Sequence, residues 1–489
     1  MRSEICDQVI LSITLFLIVF APLAFGAVED WALSIIEVSV LLMFCAWAVK
    51  TATQGKLSFI RPPFLAAFSL FLILVLFQLT PLPRSWRDFL SPSVNKHFQL
   101  PRTDPNLSQS QVDPPLARLT INPQATQAGF VNLVTYFVLC MVLLNNLRSR
   151  EKRMTVLTTL IALGSFEALY GLIEYWTGHE HIFWYKKAFY LGEATGTYIN
   201  HNHFAGLLEL VIPLAVGMFS VEYSRFQKNK GAGSEKDPKG KGHPPSLKLI
   251  CLLVSLASML IALILSKSRA GLISSVLSIA FLAFLLLEKR TLPGLRIALL
   301  AGSLIGGITL ILNHDVIQRF SWSPYEARIR FGLWKDSAAI VRDFPLWGTG
   351  FGTFQHVIPY YRPKIDFLKV SGVPQPAAWY HTHNDYLQLL VECGIIGLLV
   401  VMWACGITLW RLFATFRAGH DRDTAILGQS LLAGMIALLL HSFIDFNLHI
   451  PANALLFCVF LSLSLGIAQS QKVVRSVSYL PDASAPTPA

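Results

Sequence analysis

Residues 381–410 read HTHNDYLQLLVECGIIGLLVVMWACGITLW. The first part is polar and contains His381 and His383, whereas an apolar run long enough to cross a bilayer begins at Leu389. Inside lipid, a helix satisfies every backbone hydrogen bond within its own segment. The stretch therefore predicts a transmembrane helix with two imidazole groups at the boundary between water and membrane.

Similar apolar runs recur along the chain and decide its fold class. Of the 489 residues, 53% are hydrophobic and only 14% are charged. Twelve runs reach the length of roughly 17–25 residues that a transmembrane helix needs. They lie near 9–28, 31–49, 63–81, 127–147, 154–176, 203–221, 248–266, 270–287, 296–313, 387–410, 425–444 and 453–469. The sequence thus predicts an all-α polytopic membrane protein with about 12 transmembrane helices.

The distribution of charge predicts the orientation of these helices. The formal net charge is +11, but Lys and Arg form short clusters in alternate loops, which is typical of the positive-inside rule. We therefore expect both termini in the cytoplasm and no nucleic-acid partner. The seven cysteines follow no metal-ligand spacing, so neither a zinc site nor disulfides are expected.

The polar segments divide the chain further. A Gly-, Lys-, Ser- and Pro-rich stretch predicts a flexible cytoplasmic linker, and the Ala-, Pro- and Ser-rich end predicts a disordered cytoplasmic tail. Of two long outward loops, the second lies between spans nine and ten and is too long for a simple connector. We expect four parts: residues 1–195 with spans one to five and the loop 82–126; residues 196–470 with the loop 314–386; the linker 225–247; and the tail 471–489.

The second outward loop carries an amphipathic pattern. Apolar residues at 329, 333 and 340, together with Trp334, suit a short helix on the membrane surface. Arg328 and Arg330 lie on that helix, where they either bind an anion or decorate its solvated face. The glycines of 345–352 are expected to end the helix and to bring backbone close to a ligand.

Arg269 lies in the turn between spans seven and eight, together with Lys267, on the side where positive charge is disfavoured. A guanidinium group remains charged at membrane depth and binds phosphate in a bidentate manner. Arg269 therefore either faces an anionic ligand or extends towards lipid headgroups.

His383 is the strongest candidate for acid–base chemistry, because an imidazole titrates near neutral pH and can take a proton from a hydroxyl group. Asp385 or another neighbour would orient it; the alternative is a structural histidine. Glu392 either orients a site residue or is a hydrogen-bonded structural carboxylate. Gly394 and Gly397 are expected to permit close helix packing.

Two further polar groups occur at helix ends. Asn202 lies in the stretch 200–206 at the start of span six, where Asn and His side chains can cap a helix and contact sugar hydroxyls. The spacing of the neighbouring histidines does not suit a metal site. His441, Asp445 and His449 surround the turn into span twelve and predict a supporting network.

Together these segments resemble the superfamily of O-antigen ligases and O-antigen polymerases, over roughly residues 196–468. The resemblance rests on Asn200-His201-Asn202-His203-Phe204-Ala205, Ser268-Arg269-Ala270-Gly271, Arg330 before Trp334, Pro345-Leu346-Trp347-Gly348, His383-Asn384-Asp385-Tyr386-Leu387 with Glu392 and Gly394, and His441-Ser442-Phe443-Ile444-Asp445-Phe446 with Ile450-Pro451-Ala452.

The resemblance implies a GT-C-like glycosyltransferase of the bacterial inner membrane, with residues 196–470 as its catalytic region and its active site facing the periplasm. Its donor would be a glycan linked to undecaprenyl diphosphate, and no metal or other cofactor would be needed. Glycan transfer would proceed with inversion, with His383 as general base and Arg269 and Arg330 on the diphosphate. Arg328 is the runner-up for the second arginine, and Asp385, Asn202, Glu392, His441 and Asp445 would support the site.

The acceptor stays open at this stage. A ligase uses lipid A core, a polymerase uses another lipid-linked repeat, and a protein O-oligosaccharyltransferase uses a Ser or Thr hydroxyl. A transporter or flippase of the same lipid is a further alternative, but no clear internal repeat, which transporters commonly show, is visible in the sequence.

Overall fold

The computed structural model describes residues 2–55, 59–60, 62–94, 116–232, 246–287, 324–362, 367–370, 373–376, 379–419 and 421–478. Within these ranges, ten helices are long and apolar enough to cross a membrane, which confirms the all-α polytopic class. They are α1 (Arg2–Leu23), α2 (Asp30–Gln54), α5 (Pro123–Asn146), α6 (Arg150–Thr177), α7 (His201–Ala232), α8 (Leu247–Leu265), α9 (Arg269–Leu287), α12 (Asp385–Arg417), α13 (Arg422–His441) and α14 (Pro451–Ser478).

Shorter elements connect these helices. The helical ones are α3 (Pro63–Leu79), α4 (Arg84–Leu90), α10 (Pro324–Asp343), α11 (Phe354–Tyr361) and single 3₁₀ turns at Phe25–Ala27 and Asn447–His449. Three antiparallel strand pairs complete the described part: β1 (Leu82–Pro83) with β2 (Leu116–Ala117), β3 (His181–Ile182) with β4 (Tyr185–Lys186), and β5 (Phe367–Val370) with β6 (Val373–Pro376).

Eleven of the twelve predicted spans coincide with helices, and the predicted span 296–313 lies outside the described residues. The third of them, α3, has 17 residues and is shorter than the ten spanning helices. The two segments predicted to be flexible are partly helical, because α7 continues to Ala232 and α14 continues to Ser478. Helix propensity and packing of the preceding spans extend these helices beyond the apolar runs.

The centre of the bundle is α7. In the apolar 18-residue stretch of α7, 94% of the residues are buried, compared with 78% in the corresponding stretch of α13 and 72% in that of α14. A helix that is apolar on every side is stable only when other helices surround it. α7 packs against α6, α8, α9 and α13, so its first residues are held at a fixed position at the end of the bundle.

α12 is interrupted at Gly394, whose φ of +63° and ψ of −171° are accessible to glycine almost alone. The loop 345–352 lies against this break: the Ile395 N–H donates to the Pro345 oxygen at 2.8 Å, and the Gly350 N–H donates to the Glu392 oxygen at 2.9 Å. A Cβ on Gly394 would approach the Leu346 oxygen to 2.2 Å. Gly394 therefore allows the loop 345–352 to approach α12, and the prediction that it permits close helix packing was wrong. Gly397 does permit such packing, because it lies against Leu74 of α3.

α10 is the predicted amphipathic helix, but protein covers its apolar face. Leu333 and Ile340 are fully buried, and Ile329 is partly buried in the same cluster as Phe354 of α11 and Val391 of α12. The prediction of a membrane-surface helix was wrong in this respect. An apolar face can be read from periodicity, whereas the surface that covers it depends on the tertiary fold.

Candidate active site

Asp445 lies at the centre of a polar cluster in the turn between α13 and α14. Its side chain is 1% exposed. Oδ2 accepts a hydrogen bond from Nδ2 of Asn202 at 2.5 Å, and Oδ1 accepts one from the Phe446 N–H at 2.8 Å. Because Asn202 belongs to the first turn of α7, the carboxylate joins the most buried helix of the bundle to the turn before α14.

His383 faces this carboxylate from the segment before α12. Its Nδ1 lies 3.7 Å from Oδ1 of Asp445, and the side chain is 23% exposed. Nδ1 itself is buried and makes no hydrogen bond, so the exposed part of the side chain does not include this nitrogen. The 3.7 Å separation is longer than a hydrogen bond, but such contacts are often loose in an enzyme without substrate.

The backbone around His383 is held on both sides. Thr382 donates its hydroxyl to the Asn384 oxygen at 2.6 Å, and the Asn384 side chain caps α12 by accepting from the Leu387 N–H at 2.9 Å. Trp334 of α10 donates to the Thr382 oxygen at 3.0 Å. His383 itself has a φ of +55°, a strained conformation that non-glycine residues adopt mainly where the surroundings enforce it.

Three imidazole rings surround the side chain of Phe446. The His381 ring stacks on it with centroids 4.2 Å apart, while His203 at 4.8 Å and His383 at 5.0 Å meet it edge to face. His203 Nε2 also lies 3.8 Å from Oδ1 of Asp445. Phe446 thereby packs against three imidazole rings, of which those of His203 and His383 also lie within 4 Å of the Asp445 carboxylate.

The pKa values of the groups outside the membrane spans follow from this packing. Burial alone would raise the pKa of the Asp445 carboxyl, but His383, His203 and the charge of Arg330 hold it well below its usual value. Burial lowers the pKa of His381 well below its usual value, and the neighbouring His449 adds to this effect. Asp445 is therefore an anion at neutral pH, whereas His381 is uncharged.

The two predicted arginines approach the cluster from different helices. Arg330 of α10 donates from Nη1 to the Ile444 oxygen at 3.4 Å. Arg269 is the first residue of α9, and this helix start lies against the start of α7, since a Cβ on Gly271 would be 2.6 Å from Cβ of Ala205. Both arginines are thus placed at the same end of the bundle as His383. The side chain of Arg328 lies outside the described part of the structure.

Asp385 does not orient His383. Its Oδ1 lies 2.5 Å from Nδ1 of His449, and its Oδ2 accepts from the Leu448 N–H at 3.0 Å. Burial alone would lower the pKa of His449, but the hydrogen bond and charge of Asp385 raise it above its usual value. Asp385 therefore fixes the turn before α14, and Asp445 takes the place beside His383.

His441 and Glu392 are buried and occupied by other partners. His441 Nδ1 lies 3.1 Å from Oε1 of Glu209 in α7, and Glu209 also accepts from Ser274 of α9 at 2.5 Å. Glu392 accepts from the Gly352 N–H at 2.8 Å and from Gln388 at 3.1 Å. The first group ties α7, α9 and α13 together, and the second connects α12 to the glycine loop.

The sequence analysis assigned no role in the site to four members of this cluster, namely His203, Glu209, Gln388 and Phe446. Glu209 had a signal, because an acidic residue inside an apolar run is expected to have a partner. Gln388 and Glu392 are four residues apart and so share one helix face. Phe446 belongs to one of the motifs that carry the resemblance, but its position in the sequence does not show that three histidines pack against it. Among the described residues, no group of three or more His, Cys, Asp and Glu is arranged to hold a metal ion.

Comparison with known proteins confirms the resemblance for part of the chain. Residues 254–402 match the sequence model of the O-antigen ligase family. A protein of Rickettsia typhi named "Putative polysaccharide ligase" is 27% identical over 147 residues, which cover 29% of this chain and 36% of that relative. The matched segment contains Arg269, Arg330, His383 and Glu392, whereas Asn202, His441 and Asp445 lie outside it.

Proposed function

We propose that this protein is an inner-membrane glycosyltransferase that moves a glycan from undecaprenyl diphosphate to an acceptor hydroxyl at the periplasmic face. The observation that carries the proposal is the contact between His383 and the buried Asp445, at the end of the bundle where α9 and α10 also supply Arg269 and Arg330. The similarity to the O-antigen ligase family over residues 254–402 supports the same activity.

His383 is the proposed general base. Its Nδ1 faces Asp445, so Nε2 takes the proton of the acceptor hydroxyl as the hydroxyl oxygen attacks the anomeric carbon. The bond from that carbon to the diphosphate breaks on the opposite side, and the configuration inverts. Asp445 then stabilises the imidazolium that forms, because an anion close to a cation in a buried site interacts strongly.

Arg269 and Arg330 are proposed to bind the diphosphate, with Arg328 as the runner-up for the second position. The leaving diphosphate gains negative charge as its bond to the sugar breaks. Guanidinium groups neutralise this charge through bidentate hydrogen bonds and do not lose their proton. Two arginines therefore suffice for this role, and we propose that transfer proceeds without a metal ion.

The acceptor decides between the members of this reaction class. Lipid A core would make the protein an O-antigen ligase, and a lipid-linked repeat would make it a polysaccharide polymerase. A Ser or Thr hydroxyl would make it a protein O-oligosaccharyltransferase. We favour polysaccharide assembly, in line with the name of the Rickettsia relative.

The test uses purified protein in detergent with an undecaprenyl-diphosphate oligosaccharide as donor. Separate reactions contain lipid A core, a second lipid-linked repeat or a Ser/Thr peptide, each with and without EDTA. We expect glycan transfer to one of these acceptors, unchanged by EDTA and lost in His383→Ala. Donor binding should persist in that variant, because the arginines are intact.

His179→Ala is the matched control, since His179 is an exposed histidine in the segment between α6 and α7. It should retain full activity. An intact donor under every condition would refute the transferase, and reconstituted vesicles would then test whether the protein moves the same lipid across the bilayer. Full activity of His383→Ala would refute the role of His383 as base.

A further inference from the structure

Gln388 lies one helical turn into α12 and connects two parts of the cluster. Its Oε1 lies 3.2 Å from the Thr382 nitrogen and 3.2 Å from Nδ1 of His381, and its Nε2 lies 3.1 Å from Oε1 of Glu392. The residue as a whole is 2% exposed. It therefore bridges the segment that carries His383 and a buried carboxylate.

These contacts determine the orientation of the Gln388 amide. The Thr382 N–H is a donor and needs an acceptor, so the oxygen of the amide must face it. With the amide reversed, its NH₂ group would face that N–H and its oxygen would face the Glu392 carboxylate. Both contacts would be unfavourable.

The orientation of Gln388 in turn fixes the proton on His381. Since Oε1 only accepts, the His381 nitrogen that faces it must be Nδ1–H. Burial keeps the pKa of His381 well below its usual value, so the ring carries no second proton at neutral pH. Its Nε2 then has a free lone pair, and no hydrogen bond to that atom is found among the described residues.

We propose that Gln388, held by Glu392, fixes His381 in the Nδ1–H form, and that Nε2 of His381 accepts a hydrogen bond from a second hydroxyl group of the acceptor. The inference rests on the proposed function for its second half only. His381 and His383 pack on the same ring of Phe446. Two neighbouring hydroxyl groups of one sugar are thus recognised together, one by each imidazole, and His381 contributes to acceptor specificity.

The surroundings of His381 contain other imidazoles as well as carboxylates, and both kinds of group affect its protonation. His449, His203 and His383 face it and disfavour a charged ring. Asp385 is paired with His449, and Glu392 reaches His381 only through Gln388. Gln388→Glu would place a carboxylate directly beside Nδ1 and would favour the doubly protonated ring.

The first experiment determines the tautomer of His381 and needs no activity assay. Full-length protein with ¹⁵N-labelled histidine is studied by NMR in detergent at neutral pH, and the His381 signals are assigned by their loss in His381→Phe. We expect a protonated Nδ1 and an unprotonated Nε2 in the wild type, a mixture of tautomers in Gln388→Met, and protonation of both nitrogens in Gln388→Glu. A wild-type ring protonated at Nε2, or spectra unaffected by both Gln388 variants, would overturn the role of Gln388.

The second experiment uses the acceptor that supports transfer in the assay described above. His381→Phe keeps the ring on Phe446 but loses the lone pair, so the KM for the acceptor should rise roughly tenfold, as for one lost hydrogen bond, with kcat little changed. In Gln388→Glu the acidic limb of the pH profile of kcat/KM should move to higher pH. Gln355→Glu, which adds the same charge at an exposed position of α11, should leave both unchanged.

An acceptor KM that stays unchanged in His381→Phe would overturn the role of His381 in acceptor binding. If the wild type transfers no glycan at all, the proposed function fails, and the second half of the inference fails with it. The NMR result still decides whether Gln388 fixes the tautomer, so the two failures are distinguishable.

Discussion

Asp445 places Oδ1 3.7 Å from Nδ1 of His383, while Oδ2 is held by Asn202. The carboxylate is ionised at neutral pH because its pKa is depressed. A fixed anion at this position favours the Nδ1–H form of His383. The role that we propose for His383 as general base rests on this pair.

Asp445→Asn should lower kcat by about 10²-fold or more, because the imidazolium loses its counter-charge. The effects of Asp445→Asn and His383→Ala should not add in the double variant, since both act on one proton transfer. The transfer rates of the two single variants and of the double variant, measured with the lipid-linked donor, test both expectations. Asp88→Asn in α4, at a more exposed carboxylate, is the control, and full additivity would contradict a shared role.

Arg269→Ala and Arg330→Ala should each abolish transfer while the protein stays folded. Each change removes a cation proposed to neutralise the leaving diphosphate, and the lysine variants should recover only part of the activity because an ammonium group is not bidentate. Binding of the lipid-linked donor is measured alongside the rate. Arg342→Ala, at an exposed position of the last turn of α10, should be unaffected, and full activity in either of the first two variants would exclude that arginine from the diphosphate site.

Gly394→Ala should destabilise the protein by at least about 3 kcal/mol, because the backbone conformation is accessible to glycine almost alone and the new methyl group would meet the Leu346 oxygen at 2.2 Å. Thermal unfolding in detergent measures the effect. Gly406→Ala on the same helix is the matched control: its Cβ would meet nothing within 4 Å, so about 1 kcal/mol of stabilisation is expected at most. Equal melting temperatures for both variants would show that the break in α12 tolerates a side chain.

The pair of His449 and Asp385 should make stability depend on pH. The pKa of His449 in the folded protein is raised above 6.5, so its stabilising contribution is complete below pH 6.5 and is lost as the pH rises through the folded-state value. The melting temperature of His449→Gln should thus fall furthest below the wild type in mild acid, with a smaller difference at alkaline pH. The pKa of His381 is lowered, so His381 gives the opposite pH dependence, but it is present in both proteins and drops out of the comparison of their melting temperatures. If the difference in melting temperature between His449→Gln and the wild type did not vary with pH, the ion pair of His449 and Asp385 would be contradicted.

Lys187 anchors the segment between α6 and α7. Its side chain is 2% exposed, and Nζ lies 3.0 Å from Oε1 of the equally buried Glu174. Lys187→Met leaves that carboxylate buried without a counter-charge, which costs roughly 3–5 kcal/mol. Lys186→Met, at the exposed neighbouring residue, should change the melting temperature little, and equal effects of the two changes would show that the ion pair does not stabilise this segment.

The sequence alone determined the membrane class and the positions of eleven helices, because the length and polarity of a transmembrane segment are local properties that a bilayer imposes. It also singled out His383, Arg269 and Arg330, which have a chemistry that is unusual where they occur. These features need no knowledge of which helix lies beside which.

The tertiary structure alone decided the partners of these residues. The nearest carboxylate in sequence to His383 is Asp385, yet that side chain pairs with His449, and Asp445 comes beside His383 from another turn. In the same way, Gly394 lies against the loop 345–352 and not against another helix, and the buried apolar residues of α10 pack against other parts of the protein. Spacing along the chain fixes which face of a helix a residue occupies, but its contacts depend on how the helices are arranged in space.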